Sequence, residues 1–141
     1  MKYLFFAFCS TFLLTACTST AQDDKNDAPI SREANVVTAP IVEKLNVAQF
    51  TEKMAEKGEN AILLDVRRPK EVEGGAIENS RNINFFDTDF EERVAKMDKE
   101  KAIFVYCKSG GRSGRSVAVF KKLGFKEIYD LEGGYDAWAA Q

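Results

Sequence analysis

The chain of 141 residues contains no histidine. That removes every Ser/His or Cys/His nucleophile pair and every metal site that relies on imidazole. Net charge is also small, with 20 basic against 22 acidic residues, so no basic field speaks for nucleic acid. Cysteine is sparse: Cys9, Cys17 and Cys107. Any reactive cysteine must therefore be activated by something other than imidazole. A hydrophobic content of 45% at this length is enough for one compact domain with its own core, and too little for two.

The first residues read as a targeting segment. Lys2 supplies a positive start, and "YLFFAFCSTFLL", Tyr3 to Leu14, is an apolar stretch of signal-peptide length, short for spanning a bilayer. It ends in "LTAC", Leu14 to Cys17, which resembles the bacterial lipobox. The resemblance implies a signal peptide over 1–16, cleavage before Cys17 and lipid on its thiol; an ordinary secretory signal is the alternative. It places the protein at the bacterial cell envelope, lipid-anchored. Thr18 stands where aspartate is linked to inner-membrane retention in enteric-type bacteria, so an outer-membrane or periplasm-facing position is expected over a cytoplasmic one. Residues 17–40 are polar, without helical or strand period, and read as a flexible tether. With Cys9 removed and Cys17 lipidated, Cys107 has no partner, although structural cysteines in an oxidising envelope usually pair.

Residues 41–141 carry the ordered patterns. "IVEKL" and "EIYDL" are short strand candidates. "AILLDV" and "AIFVYC" are continuous apolar runs, as buried parallel strands require. "NINF", Asn82 to Phe85, reads as another short strand. Asn46 caps an expected helix from Val47 to Lys57, closed by Gly58. Further helical patterns cover "TDFEERVAKM", about Ser113 to Leu123, and "GGYDAWAA". Strands alternating with helices predict an α/β domain: a mainly parallel sheet of about five strands, helices on both faces.

"YCKSGGRSGRS", Tyr106 to Ser116, carries the candidate chemistry. Sites in parallel α/β sheets lie at the carboxyl ends of strands, and Cys107 ends one. Gly110 and Gly111 permit a backbone that turns its N–H groups inward into an anion-binding nest. The helix expected near Ser113 adds its positive end, Lys108 and Arg112 add charge, and Ser109 and Ser113 add hydroxyls. Such a setting lowers a cysteine pKa from about 8.5 to between 3.5 and 7.5. The bland alternative is a buried small thiol beside a turn.

The same residues resemble a rhodanese domain, from about Leu45 to Gln141. The first family motif is matched by Asp65, Val66, Arg67, Glu71, Gly75, Ile77, Asn82 and Ile83. The active-site loop is matched by Cys107 to Arg112, and the tail motif by Leu131, Gly133, Gly134 and Trp138. Ala76 replaces a usual histidine, Asn79 a glycine and Asn84 a proline; none touches the loop, and Asn79 tolerates positive φ. The resemblance implies the three-layer rhodanese fold and sulfane sulfur transfer through a Cys107 persulfide. The donor would be a small anion such as thiosulfate, and the acceptor cyanide or a thiol. The loop from Lys108 to Ser113 would hold the anion, with Arg112 and Lys108 attracting it. Asp65 and Arg67 either brace the loop or line its mouth; a salt bridge to Glu71 or plain support of the fold are the alternatives. No metal or organic cofactor is implied, and a monomer is expected. Related phosphatases have C-x5-R; the shorter C-x4-R here fits the sulfurtransferase class. An envelope carrier or binding module without turnover of its own is the competing reading.

Overall fold

A computed structural model describes residues 39–141. The expected leader, the lipidation site Cys17 and all but the last two residues of the expected tether lie outside the described residues.

Five parallel strands form one sheet: β1 (Ile41–Leu45), β2 (Ala61–Asp65), β3 (Arg81–Asn82), β4 (Ala102–Tyr106) and β5 (Glu127–Leu131), in the order β1-β5-β4-β2-β3. The helices are α1 (Val47–Lys57), α2 (Pro69–Val72), α3 (Phe90–Ala95), α4 (Gly111–Leu123) and α5 (Gly134–Ala139). β4 lies at the centre, paired with β2 from Ala61↔Ala102 to Asp65↔Tyr106 and with β5 from Ile103↔Ile128 to Val105↔Asp130. Its five residues are all buried, which explains why its sequence is an unbroken apolar run rather than an alternation.

The period of two along the strands divides the core into two layers. Ile103, Val105 and Cys107 face α3 and α4 with Leu64, Val94, Phe120 and Ile128. Ala102, Phe104 and Tyr106 face α1 with Leu63, Phe50, Tyr129 and Leu131, and Trp138 of α5 packs against this layer. Phe104 is central there, edge-on to Phe50 at 5.2 Å and stacked on Tyr129 at 4.7 Å.

Helix α1 runs over the residues its sequence predicts. Asn46 accepts from the Gln49 N–H at 3.0 Å and Gln49 Oε1 returns the bond to the Asn46 N–H at 3.2 Å, closing a reciprocal cap. Three elements differ from expectation. β3 covers only Arg81 and Asn82, not Asn82 to Phe85. Asn84 breaks it, accepting from the Phe86 N–H at 3.2 Å and donating to Asp87 at 2.6 Å, the local turn chemistry of an Asn side chain. α3 is shorter than "TDFEERVAKM", although Met97 beyond its end stays in the core. α4 begins at Gly111, inside the glycine loop, because Gly110 at φ +94° turns the chain straight into the helix. Asn79 does sit at φ +62°, as its tolerance for that region allows.

Candidate active site

Cys107 follows the last residue of the central strand, where the chain leaves the sheet and turns into α4. The Gly110 N–H donates to its Sγ at 3.1 Å, and the Ser113 hydroxyl lies at 3.6 Å. Burial of the sulfur works against its charged form. The Ser113 N–H and hydroxyl, with the N–H groups of Arg112 and Ser109, outweigh that cost, and the thiol pKa lies below its ordinary value. The N–H groups of Ser109, Gly110, Arg112 and Ser113 thus gather around one sulfur where the chain enters a thirteen-residue helix, the arrangement of an anion-binding nest. Cys107 is a free thiol.

The loop is fastened from behind by α5. The Tyr135 N–H donates to the Cys107 carbonyl at 2.8 Å and the Asp136 N–H to the Lys108 carbonyl at 2.9 Å. Such contact needs glycine at 134. A Cβ there would lie 2.5 Å from the Cys107 carbonyl oxygen and 2.7 Å from that of Lys108.

Arg112 is not open to an incoming anion in the way the sequence suggests. Its guanidinium forms a two-pronged pair with Glu71, at 2.6 and 2.7 Å. Arg112 and the Arg68 N–H hold the Glu71 carboxyl at about 2, against 4.5 ordinarily, despite its partial burial. A carboxyl lowered on folding stabilises the fold above its unfolded pKa. That contribution is lost as pH falls from about 4.5 through 2. Glu71→Gln is expected to cost about 1–2 kcal/mol at pH 7 and to come close to wild type only near pH 2, where the folded carboxyl is itself half protonated. Urea unfolding at the two pH values measures both.

Asp65 and Arg67 form a buried pair instead of a bridge to the Glu71 carboxylate. Asp65 accepts the Arg67 N–H at 2.9 Å and its guanidinium at 2.7 Å. Arg67 also donates to the carbonyls of Gly75, at 2.7 Å, and Glu71, at 3.4 Å, and its guanidinium lies 4.1 Å from the Tyr135 ring centre. Of the readings left open, this favours bracing: Arg67 ties the turn after β2 to the start of α5, which in turn holds the loop. Lys108 is more than half exposed, with its ammonium 3.8 Å from Asp136.

A cavity of about 480 Å³ opens over Cys107, lined also by Ser109, Gly111, Arg112, Glu71, Arg68, Phe86 and Arg115. The sequence did not single out Arg68, Phe86 or Arg115. Arg68 lies over the Phe86 ring at 4.9 Å, and Arg115 over Phe85 at 5.1 Å and Phe86 at 5.8 Å. Neither arginine has a carboxylate partner among the described residues. Only the spacing of Arg115 three residues beyond Arg112, one helical turn, hinted at its place.

The model of the rhodanese-like domain matches residues 47–141. The chain belongs to the rhodanese-like family. An uncharacterized protein of Bacillus subtilis, YqhL, is 38% identical over 81 residues, covering 57% of this chain and 63% of that one. The thiosulfate sulfurtransferase GlpE of Coxiella burnetii is 33% identical over 84 residues, covering 60% and 77%. Among solved structures, a rhodanese-related protein of Thermoplasma volcanium superposes with a TM-score of 0.58 at 32% identity, over 70% of this chain and 91% of that one. The rhodanese-like domain thus has relatives named as sulfurtransferases, which supports sulfur transfer as its general chemistry.

Proposed function

We propose that this protein is a sulfurtransferase that moves sulfane sulfur from a small anionic donor such as thiosulfate to a thiol or cyanide through a persulfide on Cys107. The observation that carries this reading is the N–H nest around a buried sulfur whose pKa is lowered. The Cys107 thiolate attacks the outer sulfur of thiosulfate. Its new S–S bond forms as the donor S–S bond breaks, and the electron pair departs with sulfite. The terminal sulfur of Cys107–S–S⁻ keeps the negative charge, facing the donors of Ser109 to Ser113. Attack by cyanide on that outer sulfur returns the thiolate and releases thiocyanate. The loop suits this cargo because Cys107 is 1% exposed, so a slender terminal sulfur has better access than a bulky group.

With Arg112 committed to Glu71, the whole charges available to the donor are those of Arg68 and Arg115 at the cavity mouth. Arg68→Gln/Arg115→Gln is expected to raise KM for thiosulfate about tenfold with kcat within about twofold, and to flatten its dependence on salt. An unchanged KM contradicts that assignment. Sulfite release from thiosulfate by the full-length protein, with Cys107→Ser as control, tests the reaction itself. From the lipobox-like "LTAC" we also propose lipid anchoring at Cys17 on the bacterial envelope, with the domain facing the periplasm and working as a monomer; metabolic labelling with a fatty acid, lost in Cys17→Ser, tests the anchor.

A further inference from the structure

The cavity over Cys107 is larger than an inorganic donor needs. Its volume, about 480 Å³, is that of a site for an organic small molecule, and thiosulfate is a far smaller anion. The lining carries three arginines, Arg68, Arg112 and Arg115, against one carboxylate, Glu71. Arg112 takes both oxygens of that carboxylate, and the Arg68 N–H shares one of them at 3.1 Å. The guanidiniums of Arg68 and Arg115 therefore stand uncompensated at the mouth. Both are seated on Phe86, at 4.9 and 5.8 Å from its ring centre, so they are no further apart than the sum of those distances. Arg115 also lies 5.1 Å from Phe85, which packs against the core. Asn84 fixes the turn that presents the ring, accepting from the Phe86 N–H at 3.2 Å. Phe86 is 49% exposed. Among the described residues the other exposed large hydrophobics, Ile41 and Val42, are on β1, at the opposite edge of the sheet from β3. Phe86 is thus an isolated ring between two charges, not part of a broad apolar face of the kind that holds a protein.

We propose that this mouth seats an organic acceptor, a small thiol with two carboxylates: one pairs with Arg68, the other with Arg115, the carbon frame lies on Phe86 and the sulfur reaches Cys107. The proposal deepens the sulfur-transfer reading and rests on it. Planar guanidiniums held on a ring suit carboxylates, which accept two parallel N–H bonds. Their spacing asks for both carboxylates on one short frame. The two positive charges also offset a repulsion within the step itself, because the attacking thiolate and the persulfide are both anions. In that step the acceptor thiolate attacks the outer sulfur of Cys107–S–S⁻. A new S–S bond forms on the acceptor, the Cys107 S–S bond breaks, and its electron pair stays on Cys107 as the thiolate. The acceptor leaves as an organic persulfide, and no proton, oxidant or reductant is consumed. The recessed sulfur, with Cys107 1% exposed, favours a slender thiol over a cysteine on a folded partner.

The test follows sulfur removal from the persulfide in a single turnover. The full-length protein is loaded with thiosulfate or a small-molecule persulfide, freed of donor and mixed with one of two dipeptides. Acetyl-Asp-Cys with a free C-terminus has two carboxylates; acetyl-Asn-Cys amide is its neutral isostere. Loss of the added sulfur from the intact mass gives each rate, expressed per thiolate. Below saturation the dicarboxylate should react about tenfold faster than the isostere. Arg68→Gln and Arg115→Gln should each cut that preference about threefold, and together abolish it. The readout is a ratio within one variant, so a general loss of reactivity cancels. Lys121→Gln removes the same charge from α4 outside the lining and should keep the preference within about twofold. A dicarboxylate no faster than its isostere, a preference that survives both arginine substitutions, or one that falls as far in Lys121→Gln each overturn the proposal while sulfur transfer stands. Failure of every donor to load Cys107 would instead overturn the sulfur-transfer reading, and this proposal with it.

Discussion

Cys107→Ser is expected to abolish sulfur transfer while leaving the fold intact. Serine is close in size to cysteine, and the site already places donors around this atom, so thermal unfolding should change little. The hydroxyl, however, is not ionised near neutral pH and does not form a persulfide. Turnover should drop to the background of the uncatalysed reaction, measured as thiocyanate formed from thiosulfate and cyanide. Residual transfer at more than about one-thousandth of the wild-type rate would place the chemistry on another residue. In the described part of the chain the structure offers no second thiol.

Gly134→Ala is expected to damage both stability and activity. The residue is at φ +59°, in the left-handed region, and its missing Cβ leaves room for two backbone carbonyls rather than for a movable side chain. The added methyl meets the oxygens of Cys107 and Lys108 at 2.5 and 2.7 Å and the Lys108 carbonyl carbon at 2.8 Å. Left-handed strain and overpacking together cost about 3 kcal/mol or more, or a fall in Tm of about 10–20 °C for a domain of this size. Relief requires α5 to move off the loop, which breaks the bonds from Tyr135 and Asp136 that hold it. Displacing the nest by an ångström should lower kcat/KM about a hundredfold. Gly74 is the control: its φ is not positive, and a Cβ there meets only the Glu71 carbonyl, at 3.5 Å. Gly74→Ala should stay within about 1 kcal/mol of wild type. Equal stability of the two variants would show that α5 does not lock the loop.

The strands β1, β2, β4 and β5, α1 and the cysteine loop were legible because their signals are local. Ala102 to Tyr106 is an apolar run, Asn46 and Gly58 bracket one helix, and Cys107 with Gly110 and Gly111 announces a turn of unusual composition. What was not legible depends on distant partners. Glu71 and Arg112 are 41 positions apart, and nothing near either tells that their charges cancel. Asp130 sits in "EIYDL", where strand alternation alone does not say that its side of the sheet is covered by α4. Gly134 looks like half of a turn until the carbonyls beneath it are seen. β3 was overestimated because "NINF" has strand-like apolar residues, while Asn84 spends its side chain on a turn.

The most direct test of the central claim is the intact mass of the full-length protein after mixing with thiosulfate. The mass should rise by one sulfur atom, located on Cys107 by peptide mapping, removed by cyanide and missing in Cys107→Ser. An unchanged mass at Cys107 with thiosulfate and with a small-molecule persulfide would contradict that claim, and would leave the loop as an anion-binding site without sulfur chemistry.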